Sequence, residues 1–316
     1  MLTESTGPPW QERLAWVLWA ALLITIPISS HPWVAHFAGW TGVSPLSGVP
    51  LALLLLGWLP WRIVRERRLP LVALPLIAFV SVALVASAGA FFLPVYPSAG
   101  QSVLGRELRA LLTLCIGAGF FLVASMLPRG RGEMIASLRW IYAGAMAMLA
   151  YSGFQVARLR YAYNPVPERL VAFHRLFSIR DPLRARVTGF AFEPSWLGDQ
   201  LVLLYLPLVL ASVWLAFSAF SDRRRRLSVE LVLLLAGIVV LFFTFARLAW
   251  LCFFLMLGSL LVAMLWRRVG QGAPNGPLAA PTVPNRRLHP GRVGVVALVI
   301  LLLLALGSGL VFAGSA

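Results

Sequence analysis

Nine runs of about 20 mostly apolar residues, each long enough to cross a bilayer, dominate this chain. They are Leu14–Ser30, Leu46–Val64, Leu69–Leu93, Leu108–Leu127, Met134–Ala157, Trp196–Phe220, Val229–Thr244, Leu248–Trp266 and Val293–Phe312. Lipid offers the backbone no hydrogen-bond partner, so spans of this length must be helices. Only the polar step Thr244-Phe245-Ala246-Arg247 separates the seventh run from the eighth. One helix of their combined length would overshoot the membrane, so a tight hairpin is expected there. The predicted fold is all-α: a polytopic transmembrane helix bundle of about nine spans. Composition agrees, because 60% of residues are hydrophobic and 12% are charged. That charged share is about half of what a soluble domain carries, and so much apolar sequence exceeds what one soluble domain can bury.

Residues 1–266 read as the membrane bundle with an outer loop at 158–195. Residues 267–292 form a Pro/Gly/Arg linker, and 293–316 the last transmembrane helix. The first run follows Arg13 without a small-residue cleavage site, which reads as a retained anchor.

A net charge of +16 is the kind of value that nucleic-acid binders show. Here the arginines fall in short loops between spans, where they set topology, so nucleic acid is excluded as a partner. Every basic residue is Arg, which fits a GC-rich bacterial source. Arg62, Arg65, Arg67 and Arg68 follow the second run, Arg129 and Arg131 the fourth, and Arg223 to Arg226 the sixth. Five more lie in the linker. These alternate loops are assigned to the cytoplasm together with the N-terminus, while His31 to Pro45 faces outward.

The loop 158–195 breaks the pattern. Parity puts it outside, yet it carries Arg158, Arg160, Arg169, Arg175, Arg180, Arg184 and Arg186 against Glu168, Asp181 and Glu193. The arginines either pair with lipid headgroups or hold an anionic substrate, phosphate being what arginine forks suit best. Cys115 and Cys252 lie within apolar runs, and no metal-ligand spacing is present, so neither a metal nor a cofactor is expected.

Within Arg186–Gln200, Pro194 and Ser195 mark a helix start whose positive end would face the outer surface. Glu193 precedes it and Asp199 lies one turn inside, where an ionisable side chain points to function. Glu193 has the alternative of a salt bridge to a neighbouring Arg. In Glu168–Arg180, Leu170, Phe173 and Phe177 share one helical face with Arg169 and Arg180 at its margins. That face suits either the membrane interface or packing on the bundle.

The sequence Gly189-Phe190-Ala191-Phe192-Glu193-Pro194-Ser195, preceded by Arg186, resembles the R…G-x-F-x-E-P-S signature of bacterial O-antigen and capsular polysaccharide polymerases (Wzy-type) and related O-antigen ligases. Thr244-Phe245-Ala246-Arg247 resembles the T-x-S-R step of the same family, with Ala246 in place of Ser. The resemblance runs from about residue 50 to 266. It implies a metal-independent membrane glycosyltransferase of the bacterial plasma membrane. Its donor would be a glycan on undecaprenyl pyrophosphate, and other polysaccharide-assembly proteins would be its partners. The reaction is either polymerisation of repeat units or ligation to lipid A core. A transporter or flippase for an anionic lipid-linked substrate is the alternative of another class.

Carried over, Arg186 and Arg247 would hold the pyrophosphate, and Glu193 or His174 would be the base. His174 has the alternative of a solvated loop histidine. Arg169, Arg175, Arg180, Arg184, Ser195 and Asp199 are candidates for substrate binding. The family pattern continues with a second outer loop, often bearing a catalytic histidine, and further spans. Against that pattern the chain is C-terminally short.

Overall fold

The computed structural model describes residues 9–39, 43–66, 71–90, 102–159, 166–220 and 228–270. Among them every regular element is helical, apart from one isolated β-bridge between Ser30 and Ser44. Among the described residues, five helices are long and apolar enough to cross a membrane: Gly48–Arg65, Leu71–Gly89, Leu104–Met126, Arg131–Leu159 and Pro194–Trp214. This is the character of a membrane protein. Among the described residues the count does not reach the nine spans expected. Val229–Phe243 and Arg247–Ala263 are apolar but shorter. The ninth run, Val293–Phe312, and the linker beyond residue 270 lie outside the described residues.

The first run is also shorter than expected. Helix α1, Trp10–Thr25, has 16 residues and starts four positions earlier than the apolar pattern. It ends before Pro27, which has no N–H with which to continue the ladder. Within the supposed outer loop, α2 spans Pro32–Ala38 and is closed by Gly39 at φ 65°.

The chain divides into two compact units, Met1–Gly144 and Ala145–Ala316. In the first, α3 (Gly48–Leu53) passes through a π turn, Leu54–Trp58, into α4 (Leu59–Glu66). Helices α5 (Leu74–Ala90) and α6 (Val103–Met126) follow, and then the first half of α7, Arg131–Leu159. Trp19, Leu22 and Leu23 of α1 pack with Leu51, Leu54 and Trp58 in its core. Trp19 Nε1 donates to Ser137 Oγ at 2.9 Å, and buried Arg62 donates to Glu12 at 2.7 Å. Lipid weakens the hydrophobic drive between helices, so small residues and polar contacts matter more. A Cβ on Gly144 would stand 2.7 Å from the Ile24 carbonyl oxygen.

The second unit holds the end of α7, then α8 (Glu168–Arg175) and α9 (Pro194–Gln200). A second π turn, Leu201–Tyr205, joins α9 to α10 (Leu206–Trp214), followed by α11 (Val229–Phe243) and α12 (Arg247–Gly270). Both π turns end two residues before a proline, Pro60 and Pro207. A proline ring crowds the carbonyl four residues back, and the wider turn relieves that contact without breaking the helix.

Between α11 and α12 the chain reverses at Thr244 and Phe245, the latter at φ 52°. Trp250 Nε1 donates to the Leu241 carbonyl at 3.0 Å, and its ring stacks on Phe242. In a continuous helix Leu241 and Trp250 would be about 13 Å apart along the axis, so the chain folds back as the hairpin reading expects.

Candidate functional site

The loop from Leu176 to Glu193 is fixed from two sides. On one side, Gln155 of α7 accepts at Oε1 from the backbone N–H of Thr188 (3.1 Å) and of Gly189 (2.9 Å). Gly189 takes φ +56°, and a Cβ there would stand 2.8 Å from Ser152 Oγ, so the backbone lies directly against α7. Phe190 stacks face to face on Tyr151 with ring centroids 4.9 Å apart, and Phe177 packs on Phe190 at 4.8 Å. On the other side, the Val187 N–H donates to the Phe243 carbonyl at 3.1 Å.

Arg186 is thereby carried to the end of α11. Its Nε donates to the Thr244 carbonyl at 2.9 Å, and Nη2 to the Phe245 carbonyl at 3.3 Å. A guanidinium has five N–H groups, so these two bonds leave three for another acceptor. The next residue of the turn, Ala246, donates its N–H to Thr244 Oγ1 at 3.2 Å. The Thr244 hydroxyl, which also donates to the Leu241 carbonyl at 2.7 Å, thus serves the backbone of the turn.

A cavity of about 620 Å³ opens at this turn. Arg186, Arg247, Ser195, Asp199, Phe245 and Trp250 line it. Ser195 and Asp199 are four residues apart on α9 and so share a face. Arg247 is exposed and opens α12, whose first amides have no acceptor within the helix and carry the positive end of its dipole. The intrahelical ladder starts when the Trp250 N–H donates to the Ala246 carbonyl. Two cations, a helix N-terminus, one hydroxyl and one carboxylate thus meet beside an aromatic wall. Such a site suits an anion with an attached polar body. The walls are set by a close crossing, since a Cβ on Gly198 would lie 2.9 Å from the methyls of Ala246 and Ala249.

The other expected site residues are placed differently. Glu193 stands at the start of α9 and pairs with Arg180, whose guanidinium also lies over Phe192. Ser195 Oγ reaches Glu193 at 3.5 Å, so Glu193 is linked to the cavity through that hydroxyl. Arg175 forks onto Asp181 at 2.8 and 3.0 Å on the exposed surface. That pairing holds the Asp181 carboxyl below its ordinary pKa and raises that of Arg175. Arg184 is exposed, and Arg169 lines a separate apolar cavity.

His174 is neither solvated nor in the cavity. It is 1% exposed, and its Nδ1 lies 2.9 Å from the Tyr151 hydroxyl. Burial pushes its pKa down to about 4, against the opposing effects of the Arg180 backbone and Asp181. Helix α8 ends at Arg175, so Phe177 leaves the face that the heptad-like spacing gives it, yet it still meets Phe173 at 5.3 Å.

Sequence reasoning missed Gln155 and Trp250, and placed Thr244 in the hairpin step without giving it a role in the site. Gln155 carried a signal, being a polar side chain inside an apolar span. Trp250 carried none, because its place depends on the hairpin. Among the described residues no group of three or more His, Cys, Asp or Glu could hold a metal ion. No protein-family model, curated protein or solved structure matches the chain.

Proposed function

We propose that this protein is a bacterial plasma-membrane glycosyltransferase of the polysaccharide polymerase type. It transfers a glycan from undecaprenyl pyrophosphate to the terminal sugar of another lipid-linked repeat unit at the outer face. The observation that carries the reading is that Arg186 and Arg247, far apart in sequence, line one cavity with the N-terminus of α12.

In this reading the two guanidiniums and the α12 amides bind the pyrophosphate. As the sugar C1–O bond breaks, negative charge grows on the departing pyrophosphate, and fixed donors stabilise it without reorganising. The attacking sugar hydroxyl forms the new C1–O bond and gives its proton to a carboxylate. Asp199 is the better-placed base because it lines the cavity, whereas Glu193 is engaged by Arg180 and supports Ser195. Trp250 and Phe245 offer apolar faces for the sugar rings. The arginine-bearing loops orient the N-terminus toward the cytoplasm and the cavity outward.

The test is the length profile of surface glycan in the source bacterium after deletion of the gene and complementation with wild type, Arg186→Ala or Arg247→Ala. The polymerase reading expects deletion to collapse long chains to single repeat units, and neither variant to restore them despite normal membrane insertion. Full-length polymer retained on the lipid carrier would instead identify a ligase. Full complementation by both variants would refute the pyrophosphate clamp.

A further inference from the structure

A second cavity, of about 450 Å³, lies between the end of α7 and helix α8. Its walls are Tyr151, Phe154, Leu170 and Phe173, and its two basic residues are Arg158 and Arg169. The walls are almost wholly apolar, yet Phe154 and Phe173 are 60% and 43% exposed. Two large rings facing outward across a concave surface leave apolar area for a ligand to cover.

Helix α7 gives the depth of this cavity. Between Arg139 and Arg158 no residue is charged. Those two arginines are 19 positions apart (158 − 139), or about 28 Å along a helix. The hydrocarbon core of a bilayer is about 30 Å thick. Arg158 therefore stands at one hydrocarbon boundary. Phe154 and Tyr151 lie one and two turns below it, at the depth of lipid chains. Arg169 lies on the short helix α8, whose Phe173 packs against Tyr151, and shares the cavity with Arg158.

We infer that this cavity is a binding site for an anionic phospholipid of the bilayer, with its phosphate on Arg158 and Arg169 and one acyl chain along Tyr151, Phe154 and Phe173. Charge complementarity selects the headgroup. A neutral chain alone would gain nothing from the arginines, and a zwitterionic headgroup would bring its own cation toward them. The occupant is a bilayer lipid rather than a soluble phosphate, because the apolar walls reach below the headgroup layer. The site is separate from the Arg186–Arg247 cavity and does not depend on the glycosyltransferase reading.

Native mass spectrometry of the full chain in detergent tests this, with phosphatidylglycerol or phosphatidylcholine titrated in. The first phosphatidylglycerol should bind at least about tenfold more tightly than phosphatidylcholine. Arg169→Ala should remove that preference, as should Arg158→Ala, while Arg186→Ala keeps it. Phosphatidylglycerol should also raise the thermal transition of wild type but not of Arg169→Ala, a substitution at an exposed position that the fold tolerates. Equal binding of the two lipids to wild type, or an unchanged preference in Arg169→Ala, would overturn the assignment. So would equal protection by soluble glycerol phosphate, which would mean that the chain contributes nothing.

Discussion

Arg186 Nε donates to the carbonyl of Thr244 at 2.9 Å, so a single side chain joins the loop before α9 to the turn between α11 and α12. The same guanidinium faces the cavity. It therefore has a structural duty that Arg247, exposed on the first turn of α12, does not share.

The two arginines should separate in a stability measurement. Removing a half-buried guanidinium leaves the Thr244 and Phe245 carbonyls short of a donor, at a cost of about 1–3 kcal/mol. Thermal melts in detergent should show Arg186→Ala destabilised by that amount and Arg247→Ala within about 0.5 kcal/mol of wild type. Arg186→Lys should keep part of the charge but not the fork, and so fall between Arg186→Ala and wild type. Equal melting of the two alanine variants would contradict a structural role for the Arg186 hydrogen bonds to the turn.

The acidic residues should separate in rate. The Arg180–Glu193 pair is about 40% exposed on both sides, and exposed pairs contribute about 0.2–1 kcal/mol. Glu193→Gln should therefore change stability little and lower glycan transfer modestly, by less than about tenfold. Asp199→Asn should lower it by about 10²–10⁴, the usual loss on removing a general base. Assays with isolated membranes and lipid-linked substrate give both rates. The reverse ranking would return the base role to Glu193.

Fixing of the loop against α7 should be sensitive to small changes. Gln155→Ala leaves the buried amides of Thr188 and Gly189 without an acceptor, at about 1–3 kcal/mol for each orphaned group. Gly189→Ala imposes φ +56° on a residue with a side chain, which costs about 1–3 kcal/mol, and drives a methyl toward Ser152. Both variants should melt earlier and be cut sooner by protease within residues 176–193. A loop that stays protected in both would show that the aromatic stack of Tyr151, Phe177 and Phe190 is sufficient.

His174 should make stability depend on pH. Its folded pKa of about 4 lies below the ordinary 6.5, so between these values the unfolded chain binds a proton that the folded chain refuses. The stabilisation is complete above about pH 6.5 and is lost as pH falls toward 4. The full shift corresponds to about 3 kcal/mol. Melts between pH 7.5 and 4.5 should show this loss in wild type. His174→Leu should flatten that part of the profile, and an identical profile in the variant would assign the effect to another group.

Much of the helical layout is legible in the sequence, because a span is a one-dimensional property. Length and apolarity place Leu46–Val64, Leu108–Leu127 and Met134–Ala157 within a few residues of helices Gly48–Arg65, Leu104–Met126 and Arg131–Leu159. The same rule overreads the first run, where Pro27 stops α1 regardless of hydropathy, and it gives no sign of either π turn. It also treats Glu168–Arg180 as one amphipathic face, although α8 closes at Arg175.

By itself, the sequence determined an all-helical, membrane-type chain and an unusual concentration of arginine before α9, since apolar runs and charge need no partner to be read. Tertiary structure alone decided which of those arginines share a cavity. Arg186 and Arg247 meet because Phe245 adopts φ 52° and turns α12 back along α11, while Gln155 holds Thr188 and Gly189 just beyond Arg186. Arg175, by contrast, is spent on Asp181, and Arg180 on Glu193. His174 shows the same limit: packing of α8 against Tyr151 buries it and lowers its pKa, and neither that contact nor the desolvation it causes is written in the residues beside it.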